Sequence, residues 1–241
     1  IGDASFLISK NDDAVRSYQK AIDMDEGFDD QALFYMAKTL GYMGRPTEKT
    51  AKLLDIINNY SSSKYLQLSI FEVAETYKSD ERYEKAKTYY QRLVTDYPSS
   101  NKVMSAKINI AFIYGKLKQY SQSEQAYKEV MTQFGADQKV CKDVANGLKD
   151  LYTDMGQPEK IEELPRLYPC FQLDPNEQEN LYYIPAMTAY TDSSVSQRQR
   201  YQNAIPKFEK YLAKFPSGRY KEDVKYFLAH SHYGIENEVE A

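Results

Sequence analysis

One set of residues returns along this chain at an interval of 37, and that interval limits the folds open to it. Small residues stand at Ala37, Ala74 and Ala111, each followed three positions later by a large one: Leu40, Tyr77 and Tyr114. A second set runs Leu53, Tyr90, Tyr127, then Ile56, Leu93, Val130, then Tyr60, Tyr97, Phe134. Five columns held in register over three units mark a structural repeat. Within the unit 65–101, Ile70, Val73, Ala74 and Tyr77 share one helical face. Ala86, Tyr89, Tyr90, Leu93 and Val94 share another, and Pro98 ends it. Each unit therefore reads as two amphipathic helices around a short turn. Such a hairpin cannot bury both faces alone, so copies stack. The small column lets helices approach closely and the bulky columns fill the space between hairpins.

The 241 residues hold about 6.5 units. The first, 1–26, places Gly2 in the small column, its turn at Asn11, Asp12 and Asp13, and a second-helix stripe at Ala14, Tyr18 and Ala21. Its opening, from Ile1 on, reads as a first helix with its initial turns removed, which implies an upstream repeat. In the second, 29–61, Gly41 and Gly44 flank the turn and Pro46 starts the second helix. Lys49 and Ser61 replace the expected Ala and Pro there. Units three and four are 65–98 and 102–135, with Asn101 as N-cap of the latter and Ser123 in an Ala column. The fifth, 139–170, is degenerate. Met155 and Gly156 end its first helix, Pro158 opens its second, and Pro165 truncates or kinks it, with a change of superhelical pitch expected. The sixth, 174–216, opens on Asp174, Pro175 and Glu177. It carries a polar insertion over 192–200, then Ala204, Phe208, Tyr211 and Leu212 before Pro216. Residues 220–236 form a terminal helix that lacks a second helix. Grouped, this predicts a regular array at 1–135, an irregular repeat at 136–173, and a C-terminal unit plus helix at 174–241.

Composition excludes several functions. The net charge is −4, and no basic stripe with interleaved aromatics is present, which argues against nucleic acid. No apolar run approaches 18 residues, which argues against a membrane span. Walker, GxSxG, HExxH and CxxC patterns are all missing. His230 and His232 sit two apart on a helix and do not share a face. The chain therefore reads as non-enzymatic, with no cofactor or metal. Its 23 tyrosines fall largely in repeat-core columns, so packing accounts for most of them. Cys141 opens the first helix of the fifth unit and Cys170 follows its second. Those ends lie together in an antiparallel hairpin, so the pair reads either as a disulfide or as two unpaired small hydrophobes.

The pattern resembles the tetratricopeptide repeat family: a small residue, a Tyr three later, an Ala twelve after the small one, an aromatic four beyond that, and a closing Pro. Ala74, Tyr77, Ala86, Tyr90 and Pro98 fill all five places. The family period is about 34 residues. The three extra residues here fall between Pro98 and Ala111, and Pro216 to Ala229 repeats that interval of thirteen. This longer connection is similar to the periplasmic branch of the family, which includes the Tol–Pal coordinator protein and outer-membrane assembly lipoproteins. It also resembles large many-repeat envelope proteins of Gram-negative bacteria, in which a recurring irregular unit is similar to 139–170. The resemblance implies a right-handed superhelical solenoid, all-α, and a periplasmic or outer-membrane-associated address. The chain shows no initiator Met and no signal sequence. An oxidising periplasm suits the disulfide alternative.

First helices of such arrays line a concave groove. The resemblance places Phe34, Lys38 and Tyr42 there, with Phe71, Glu75 and Lys78, and Ile108, Phe112 and Lys116. The set departs from the carboxylate clamp of the family's chaperone-tail binders. It suits an extended or helical peptide anchored by aromatics, while the other account of these aromatics is packing against the neighbouring hairpin. The functional expectation is a protein–protein interaction scaffold of the bacterial envelope that holds a peptide or a partner's helix. Two alternatives stand beside it: a segment of a longer array acting by stacking or self-association, and a regulatory module of a larger protein.

Overall fold

The computed structural model describes residues 2–24, 27 and 29–237, with side chains from residue 10 to residue 236. Ile1 lies outside that range. Twelve helices and no strands occur among the described residues. The chain divides into two compact units, Ile1–Ala136 and Asp137–Ala241. The first holds α1 (Gly2–Asp23), α2 (Asp29–Tyr42), α3 (Pro46–Asn59), α4 (Leu66–Ser79), α5 (Tyr83–Asp96), α6 (Val103–Lys116) and α7 (Tyr120–Phe134). The second holds α8 (Gln138–Asp154), α9 (Pro158–Leu167), α10 (Pro175–Thr191), α11 (Gln197–Lys214) and α12 (Lys221–Asn237).

One turn geometry recurs in four hairpins. Gly44, Glu81, Lys118 and Gly156 adopt φ of 70°, 57°, 59° and 65°. The next residue's N–H then bonds back to the large column: Arg45 to Leu40 O at 2.9 Å, Arg82 to Tyr77 O at 2.8 Å, Gln119 to Tyr114 O at 2.8 Å and Gln157 to Tyr152 O at 2.9 Å. This is the Schellman closure, which satisfies the last carbonyls of the first helix and reverses the chain. A left-handed residue is what it requires. Glycine supplies that freely, while Glu81 and Lys118 adopt it against the steric preference of an L-residue.

Packing follows the columns. Ala37, Ala74 and Ala111 are wholly buried, as are Leu53, Ile56, Tyr90 and Leu93. Burying each large side chain contributes about 1.5–3 kcal/mol. Ser123, in the Ala column of α7, is also wholly buried, and its hydroxyl donates to Ala111 O at 2.7 Å. Between hairpins, Ser63 N–H bonds to Tyr60 O at 3.0 Å and Ser100 N–H to Tyr97 O at 2.9 Å, a second turn kept in register.

Three local expectations are corrected. No turn interrupts α1 at 11–13. Asn and Asp cost a helix only a fraction of a kcal/mol, Asp13 pairs with Arg16, and Ser17 bonds to Asp13 O at 2.9 Å. Asn101 does not cap α6. Lys102 holds that position, and its N–H turns to Ser100 Oγ at 3.4 Å. The insertion at 192–200 is helical in its second part, because Ser196 caps α11 by accepting from Gln199 N at 3.3 Å and leaves 192–196 as connection.

In the second unit, α9 has 10 residues where α5 has 14. Pro165 lies inside it and it ends at Leu167, so the helix is truncated. A disulfide joins Cys141 to Cys170 across a Cα–Cα distance of 6.1 Å. Asp174 caps α10 by accepting from Asn176 N at 2.8 Å and Glu177 N at 3.3 Å. Tyr182, Ala186, Ala204, Phe208, Tyr211 and Val224 form the core of α10 to α12.

Candidate protein-binding face

The first helices α2, α4 and α6 are linked side by side through their side chains. Glu72 on α4 accepts from Lys38 of α2 at 3.2 Å and from Lys49 of α3 at 2.5 Å. Burial raises the pKa of this carboxyl, but the Lys49 hydrogen bond and the charges of both lysines outweigh it, so it stays below the usual carboxylate range. One hairpin later, Glu75 accepts from the Tyr90 hydroxyl, from Asn109 Nδ2 at 2.8 Å and from Lys78 at 2.9 Å. Lys78 also donates to Asn109 Oδ1 at 3.0 Å. Burial first, then the hydrogen bond and charge of Glu75, push the Tyr90 hydroxyl far above the ordinary phenol value. Tyr90 is thus a neutral donor that fixes a charged acceptor.

The nine groove positions expected from sequence separate into three groups. Phe34 is buried, with its ring stacked 4.6 Å from Tyr65, and belongs to the core. Phe71 lies half-buried, edge-on to Tyr90 at 5.7 Å, and Ile108 is half-buried as well. Packing therefore describes these three. Lys38, Glu75 and Lys78 are held in the ion networks. Tyr42 is 80% exposed, Lys116 is exposed, and Phe112 is 36% exposed with Lys116 Nζ 5.3 Å from its ring. The face is thus an aromatic and cationic surface on a rigid polar underlayer.

Sequence reasoning missed four members of that underlayer: Lys49, Glu72, Tyr90 and Asn109. Lys49 reads in the sequence as a divergence from Ala, yet it is the nearest partner of Glu72. The available signal was the column two residues before the small one, where Glu72 and Asn109 both stand. In the second unit, His230 Nδ1 lies 2.9 Å from the Tyr190 hydroxyl, its ring among Tyr190, Tyr201 and Tyr226, and His232 is exposed. Among the described residues, no group of three or more His, Cys, Asp or Glu could hold a metal ion.

Residues 69–100 and 105–133 match tetratricopeptide repeat models. These two segments carry tetratricopeptide repeats. Those segments are α4–α5 with its closing turn, and most of α6–α7. A crystal structure of MamA is similar at TM-score 0.51 and 15% identity, over 70% of this chain and 91% of that one. A second crystal structure of MamA gives TM-score 0.50 at 15% identity, over 81% and 94%. A tetratricopeptide repeat protein from Parabacteroides merdae covers 95% of this chain and 98% of its own at 15% identity and TM-score 0.48. No curated protein matches the sequence. The MamA likenesses speak to the fold, an all-helical solenoid of tetratricopeptide hairpins. Tetratricopeptide repeats bind protein partners and are in general non-catalytic. No described helix is long and apolar enough to cross a membrane.

Proposed function

We propose that this tetratricopeptide chain is a non-enzymatic interaction scaffold of the bacterial cell envelope, holding a peptide or partner helix against the first helices α2, α4 and α6. The observation that carries it is Tyr42, whose ring is 80% exposed on a helix whose neighbouring polar groups are already bonded to one another. An exposed aromatic on a preorganised surface is the usual anchor of a protein contact. Phe112 and Lys116 extend the same kind of surface two hairpins on. The Cys141–Cys170 disulfide supports the periplasmic or outer-membrane-associated address, because such bonds persist in oxidising compartments.

The test is capture from a Gram-negative envelope extract with the parent chain and a Tyr42→Asp/Phe112→Asp variant of unchanged helicity. A partner held by the parent and lost by the variant is the expected result. Equal capture by both moves the site off this face. Self-association of the parent without any capture favours the second reading, action by stacking. That reading draws on Tyr226 and Tyr233 of α12, seven residues apart on one helical face and 64% and 68% exposed.

A further inference from the structure

The column two residues before each small residue does one job in three places. Glu72 reaches back to Lys38, Asn109 to Glu75, and the Phe227 ring lies 4.9 Å from that of Tyr190. Each plugs the gap to the preceding first helix of its own unit. In α10 that column is Ile184, and it plugs nothing. It is 56% exposed beside a cleft of about 360 Å³ between α8, the start of α9, and α10. Tyr152, Ile161, Leu181 and Pro185 line the cleft. Its size sits at the lower end of ligand pockets, which run about 300–1,000 Å³.

Three features describe what this cleft lacks. First, Leu181, Tyr182, Tyr183, Ile184, Pro185, Ala186 and Met187 run consecutively, so α10 is apolar on every side, and a helix of that kind is normally covered all round. Second, one buried acceptor of the cleft stands without a donor among the described residues. Gln157, which also lines the cleft, buries its Oε1 with no hydrogen-bond partner. Third, the lining carries two carboxylates, Glu177 and Asp150, against one ammonium, Lys149, which is already paired with Glu177. Asp150 is exposed and forms no ion pair among the described residues.

We propose that this cleft takes a large apolar side chain of a partner polypeptide that carries a lysine or arginine beside it. The apolar side chain covers Ile184 and Leu181, and the adjacent cation meets Asp150. This rests on the protein-binding reading above but not on the α2–α6 face.

The probe is acetyl-Lys-Phe-Lys-amide, titrated into the full chain with its isoleucine δ1 methyls labelled for NMR. The Ile184 and Ile161 methyl signals shift saturably. The Ala-centred analogue binds at least about tenfold more weakly, and so does the Phe peptide flanked by glutamates. Ile184→Lys abolishes the Ile161 shift while leaving circular dichroism unchanged, since the residue is exposed, and Asp150→Lys weakens only the lysine-flanked peptides. No shift up to about 10 mM peptide overturns the proposal. So does an equal response to octanoate, which marks an unselective apolar trap, or a retained Ile161 shift in Ile184→Lys. Each of these leaves the Tyr42→Asp/Phe112→Asp capture result untouched, so the two readings fail separately.

Discussion

Hairpins α4–α5 and α8–α9 solve the same problem by different means. In α4–α5 each helix has 14 residues, and Ile70, Val73, Ala74 and Tyr77 meet Ala86, Tyr90 and Leu93 in a continuous core. In α8–α9 the second helix has 10 residues, buries Pro158, Ile161 and Leu164, and a disulfide closes the far end. The turn between the helices is the same in both, down to the left-handed residue and the bond back to Tyr77 or Tyr152. The lesson is that the turn specifies a hairpin, while helix length decides how fully it is sealed. Where α9 is short, covalent closure takes over from packing, and the next first helix keeps an open apolar side.

The sharpest way to break this comparison is to remove the disulfide. Cys141→Ser/Cys170→Ser is expected to cost the second unit about 3–4 kcal/mol, from the loop it closes. Hydrogen exchange should show protection lost in α8–α9 and kept in α4–α5. Equal loss in both would mean the staple is not local. Next in size, Leu93→Ala in α5 should cost about 2–5 kcal/mol in urea unfolding, because a fully buried side chain leaves a cavity that the regular hairpin cannot collapse. A cost under about 1 kcal/mol would show that α4–α5 is not packing-held.

The shared turn can be tested in both hairpins. Gly156→Ala should cost about 1 kcal/mol from backbone strain alone, as no atom lies within 4 Å of the added carbon. Charge offers a smaller handle on the regular unit. The folded state lowers the Glu72 pKa, so its stabilisation is full above the unfolded value of about 4.3 and fades as pH falls below it through the folded value. Glu72→Gln should therefore cost about 0.5 kcal/mol at neutral pH and flatten part of the acid limb of the stability curve. An unchanged limb would remove Glu72 from the underlayer. Smallest of all, Glu81→Gly should stabilise the first unit by about 0.3 kcal/mol, since relief of the left-handed strain slightly exceeds the entropy lost by glycine. Destabilisation there would mean that the Glu81 side chain contributes contacts of its own.

Much of this was legible in the residues. Ala37, Ala74 and Ala111 with Leu40, Tyr77 and Tyr114 announced the hairpins, because close approach and gap filling each admit few side chains. Asp174 and Pro175 announced the start of α10. The continuous α1 and the early start of α11 were not legible. Polar residues such as Asn11 or Gln197 are common in turns and only mildly disfavoured in helices, so local preference leaves the choice open. Of the candidate face, Tyr42 and Phe112 remain surface aromatics, while Phe34 turned inward against Tyr65. A helical stripe gives a direction from the axis but not the depth of the neighbour it meets.

By itself, then, the sequence determined the repeat, the hairpins from α2 onward with their turns, and a break in the fifth unit's second helix near Pro165, all of which follow from side-chain size and backbone freedom at fixed spacing. Only the tertiary structure decided which polar groups meet. Lys49 finds Glu72 across 23 residues, and Tyr90 with Asn109 converges on Glu75 from two other helices. It alone also showed that Ile184 stands over an empty cleft where its counterparts are filled. Such outcomes depend on distances between helices, and those are set by the summed packing of the whole array.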